Sequence, residues 1–100
     1  MAQRERKVTK VDPRATVGPK KGIRIRERKL GKHKAVGLAH PNGLVEIDPR
    51  QSAKEYLDTM IHELLHVIDP SKEWDEKTVE KAARTITLFL WRAGFRRIHD

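Results

Sequence analysis

Two histidines four residues apart bracket a glutamate in His62-Glu63-Leu64-Leu65-His66. On a helix, one turn brings both imidazoles to the same face, within reach of one metal ion. Glu63 cannot share that direction, but it can reach a water activated by the same ion. The pattern is that of metal-assisted hydrolysis, with His62 and His66 as ligands and Glu63 as general base. A purely structural site would saturate four protein ligands and would have no use for Glu63. The chain has no cysteine, so any metal must take His and carboxylate ligands, and disulfides are excluded. One zinc ion is the expected cofactor, although imidazole and carboxylate suit several divalent ions.

The elements around the motif must present it. The spacing predicts a helix over 53–67, with Ser52 as N-cap and Glu55 completing a capping box. Leu57, Met60, Ile61, Leu64 and Ile68 recur at three- and four-residue steps and form one apolar stripe. With Leu57 set at zero, the stripe spans about 60° on either side, whereas His62 and His66 fall near ~140° and ~180°. The histidines therefore leave the apolar stripe, as ligands would and core histidines would not. Asp69-Pro70 stops the helix. A second helix is predicted over 76–93, N-capped by Asp75 and ended by Gly94. Its expected buried face is Val79, Ala82, Ala83, Ile86, Phe89, Leu90 and Ala93. Trp74 and Trp91 are expected as packing anchors.

Upstream of the helices the signal is for short strands. Ile23 and Ile25 alternate with Arg24 and Arg26, a weak strand pattern over 22–28. Gly31-Lys32 reads as a turn. The apolar segments 35–39 and 44–47 flank His40-Pro41-Asn42-Gly43, whose Asn-Gly pair suits a hairpin. The fold expected is α+β: a small antiparallel or mixed sheet of about three strands packed on two helices.

The formal charge of +8 is unevenly placed. Residues 1–34 hold 13 Lys and Arg against 3 Asp and Glu, whereas residues 35–100 hold 9 against 11. Residues 1–21 read as a basic arm and 22–100 as the folded domain. The basic third could contact nucleic acid or an acidic protein, but it contains no aromatic residue on which a base would stack. With no signal-peptide pattern, no membrane-length apolar run and no cysteine, a cytoplasmic protein away from membranes is expected.

The segment from Leu44 to Arg97 resembles compact HExxH proteins of the zincin family, of the gluzincin kind found in phages and bacteria. The strand 44–48, the run Thr59-Met60-Ile61-His62-Glu63-Leu64-Leu65-His66 and the Trp74-Asp75-Glu76 that opens the second helix carry the likeness. The resemblance implies a metallopeptidase acting on a peptide or protein substrate. It also implies that the strand before the active-site helix lines the cleft and pairs with extended substrate.

A catalytic zinc needs a third protein ligand and an open position. Asp69, Glu73, Asp75, Glu76 and Glu80 are within range in sequence. Asp69 suits a turn. The resemblance implies a carboxylate from the second helix. Helical phase favours Glu76, axial level favours Glu80, and the resemblance includes a Glu at the helix start. Glu76 is therefore the first choice and Glu80 the second. Tyr56, His40, His33 and Arg84 are the candidates for stabilising a developing oxyanion. The competing functional reading is a zincin-fold binding module with little or no turnover, working through its basic arm on nucleic acid or an acidic partner.

Overall fold

The computed structural model describes residues 22–98; the arm over 1–21 lies outside the described residues. Strands β1 (Arg24–Glu27), β2 (Gly37–Ala39) and β3 (Leu44–Ile47) precede helices α1 (Ala53–Ile68) and α2 (Glu76–Arg92). The fold is α+β, with a three-stranded mixed sheet and two helices.

β2 and β3 form the expected hairpin, pairing antiparallel with Leu38 opposite Glu46. His40 N–H donates to the Leu44 carbonyl, and Gly43 N–H donates to the His40 carbonyl. Gly43 alone supplies the positive φ, at 93°, which a side chain would resist. Asn42 contributes differently: its side-chain oxygen accepts the Leu44 N–H. β1 pairs with the other edge of β3, in parallel, giving the order β1-β3-β2. The strand nearest the helix in sequence is thus the central one.

Alternation then sorts the sheet into two faces. Val45 and Ile47 turn toward α1 and join Tyr56 and Val67 in the core, with Ala39 and Met60 against it. Glu46 turns to the other face. Among the described elements, α1 packs on β2, β3 and α2, and α2 packs on α1 alone.

Helix α1 starts as expected. Ser52 accepts the Glu55 N–H, and Glu55 accepts the Ser52 N–H in return. Being sandwiched, α1 buries Tyr56 and Val67 as well as Ile61, so its buried arc is wider than the predicted stripe. Leu57, Met60, Leu64 and Ile68 are half-buried. Asp75 caps α2 through the Thr78 N–H. The predicted face of α2 is corrected. Val79, Ala83 and Thr87 are buried, and Ala82 and Leu90 are half-buried. Ile86, Phe89 and Ala93 are exposed, Phe89 by 70%. A helix with one neighbour buries a narrow seam at four-residue steps; the rest of a broad apolar stripe stays in solvent.

Candidate metal centre

His62 and His66 come together one turn apart on α1, with their Nε2 atoms 3.1 Å from one another. Glu76, the first residue of α2, reaches both. One carboxylate oxygen lies 2.9 Å from His62 Nε2 and the other 3.0 Å from His66 Nε2. One donor atom from each residue falls within 4.8 Å of the others. The donors fit a small divalent ion: ligand atoms about 2.0–2.1 Å from a tetrahedral zinc stand roughly 3.3 Å apart. The set has two imidazoles, one carboxylate and no thiolate, and the imidazoles are 20% and 28% exposed. Such a site is reachable from solvent.

The connection 69–75 decides which carboxylate arrives. Asp69 caps the end of α1, and its side chain accepts the N–H groups of Glu73 and Trp74. It serves the turn, as its position before Pro70 suggests. Lys72 takes a left-handed conformation, φ 58°. The chain reverses so tightly that the first turn of α2 lies beside His66. Glu80, one turn further on, is exposed and does not enter the cluster.

Glu63 lies on the floor of the adjoining cleft, half-buried. Burial is the largest influence on its carboxyl and pushes the pKa up; His62 and His66 oppose this, and Glu76 adds to it. A carboxylate held in this way is a stronger base than a solvated one.

The cleft holds about 650 Å³. One wall is β2 with His40 and Pro41, and the other is Pro70, Lys72, Trp74 and Asp75. This corrects two expectations. β3 does not line the cleft: both its edges are hydrogen-bonded within the sheet, so it has no backbone groups left for a substrate. β2, an edge strand, takes that place. Trp74 is not a packing anchor but an exposed wall residue.

The oxyanion candidates separate cleanly. His40 lines the cleft, and its Nε2 lies 2.9 Å from Glu46 Oε1. Tyr56 is buried against the sheet and donates its hydroxyl proton to Glu27 at 2.6 Å. Burial first, then that hydrogen bond, pushes its pKa up to about 12. Arg84 is exposed on α2 and lines neither wall. The His33 side chain lies outside the described residues.

A second groove, about 620 Å³, lies between Ile25, Tyr56, Leu57, Met60, Leu90 and Trp91. It is the more apolar of the two, but the group of His62, His66 and Glu76 lies outside it.

Sequence reasoning missed the buried carboxylates. Glu46 is 1% exposed and binds Arg26, Arg28 and His40. Asp48 accepts the Leu30 N–H and pairs with Arg50. The available signal was period two: Glu46 stands between Val45 and Ile47, so it had to face away from the core.

No helix among the described residues is long and apolar enough to cross a membrane. Compared with known proteins, the chain matches no family model, no curated protein and no solved structure.

Proposed function

We propose that this chain is a zinc-dependent metallohydrolase of the zincin kind, acting on peptide bonds in the cytoplasm. The observation that carries the proposal is the convergence of His62, His66 and Glu76 beside a half-buried Glu63. Zinc, when bound there, would supply Lewis acidity and an activated water at neutral pH. Glu63 takes the proton of the attacking water and passes it to the leaving amine. His40, held by Glu46 through its Nε2, lines the cleft beside these groups. The edge of β2 gives an extended peptide a strand to pair with. The peptide specificity rests on that edge and on the resemblance to zincins.

The test is to incubate the purified chain with zinc and a broad set of protein substrates, beside Glu63→Gln. Activity should fall by about 10²–10⁴-fold in the variant, with bound zinc retained. Cleavage that survives the substitution would rule the mechanism out.

A further inference from the structure

Residues 22–34, which comprise β1 and the turn that follows it, carry six Lys and Arg against one acidic residue. A large part of the basic excess over 1–34 therefore belongs to the folded domain and not to the arm. Arg24 and Arg26 lie in register with Leu44 and Glu46, on the sheet face turned away from α1. Arg28 continues the alternation, its N–H bonded to the Ile47 carbonyl. Side chains on one face of a strand recur every ~6.6 Å. No described helix covers this face, because both helices lie on the other side.

Glu46 fixes the geometry of the stripe. Arg26 bonds its Oε2 through Nε and Nη2. Arg28 bonds Oε2 through Nε and Oε1 through Nη2. Both guanidinium side chains stay largely in solvent, 59% and 43% exposed, with donors left over. One carboxylate between two arginines leaves a positive surplus. Arg24 adds a full charge, since its guanidinium donates to the Gly22 and Asn42 carbonyls and, among the described residues, not to an acid. Lys29 and Lys32, in the segment that follows β1, are exposed.

We propose that this open sheet face, along β1, docks the phosphate backbone of double-stranded nucleic acid. Guanidinium groups suit phosphate oxygens in shape and charge, and the rigid strand holds three of them in line. The strands contain no Phe, Tyr or Trp, so unpaired bases have nothing to stack on, which favours a duplex over a single strand. The inference is independent of the metal centre.

The test is fluorescence anisotropy of a short labelled duplex with the full chain over a range of salt. Two charge-matched variants are compared: Arg24→Gln/Lys29→Gln/Lys32→Gln on β1 and the segment that follows it (the sheet-face variant), and Lys54→Gln/Lys81→Gln/Arg92→Gln on the helices. Wild-type affinity should fall steeply with salt. The sheet-face variant should bind at least about tenfold more weakly, with the log-log salt slope reduced by about 0.9 for each phosphate no longer neutralised. The helix variant should bind nearly as wild type. Thermal melting checks both folds; if Arg24→Gln unfolds the chain, Lys29→Gln/Lys32→Gln replaces the triple. Equal weakening by the two variants would overturn the proposal, because net charge and not this face would then govern binding. Tighter binding to an unpaired strand, or binding to phosphatidylserine vesicles but not to the duplex, would overturn it as well.

Discussion

Gly37 on β2 lies so close to Glu63 on α1 that an added Cβ would stand 2.9 Å from Glu63 Cγ and 3.1 Å from its Oε2. The same atom would stand 2.5 Å from Thr59 Cγ2. The missing side chain lets the strand close over the proposed base. A hydrogen-bonded clamp supports the approach: Thr59 donates to Gln51, and Gln51 donates to the Asp48 and Val36 carbonyls. Gly37→Ala must push strand and helix apart. It should cost about 1–3 kcal/mol, the usual range for overpacking, measured by urea denaturation. Zinc affinity should change little, because Gly37 touches none of the three ligands.

The third ligand can be tested without any substrate. Glu76→Ala should reduce zinc affinity by more than the ~10–100-fold expected for loss of an outer partner. Glu80→Ala should leave it unchanged. Calorimetric titration of the two variants decides the matter, and equal affinities would place the third ligand elsewhere.

The features legible in the sequence were those set by neighbours in the chain. The capping box of Ser52 and Glu55, the Gly43 turn and the shared direction of His62 and His66 all follow from local spacing. What stayed hidden depends on partners far along the chain. Nothing local says that β1 joins β3 in parallel and leaves β2 as the edge by the cleft. Phase and axial level point to different residues, Glu76 and Glu80, because they say nothing of the turn between the helices; that turn, held by Asp69 and Lys72, brings Glu76 beside the two histidines. The phase of α2 was misjudged at Phe89 for a related reason: the pattern marks apolar residues, not how many of them find a neighbour.

Thr87 bears on that same seam. Its hydroxyl oxygen is buried without a hydrogen-bond partner among the described residues. An unpaired buried hydroxyl is a liability, whereas a methyl of the same shape is not. Thr and Val have similar helix propensities. Thr87→Val should therefore raise stability by about 1 kcal/mol, read from the shift in denaturation midpoint at constant slope. A lower midpoint would mean that the hydroxyl has a partner in solution, such as a bound water.

Acid should weaken the sheet at two identifiable carboxylates. Hydrogen bonds from Arg28, then Arg26 and His40, hold Glu46 far below its ordinary value of 4.5. Arg50, then the N–H groups of Leu30 and Arg50, hold Asp48 far below 3.8. A depressed folded-state pKa means that the unfolded chain binds more protons as the pH falls through the ordinary carboxylate range. Both groups therefore contribute their full stabilisation above about pH 5 and lose it progressively in more acid solution. Melting temperature should fall steadily below that point. Glu46→Gln should lower it by several degrees at neutral pH, since Arg26 and Arg28 lose their shared counter-charge. The variant should also show a shallower decline in acid, because one of the two linked protons is gone. Parallel acid profiles for the variant and the wild type would show that Glu46 is not a source of the pH dependence.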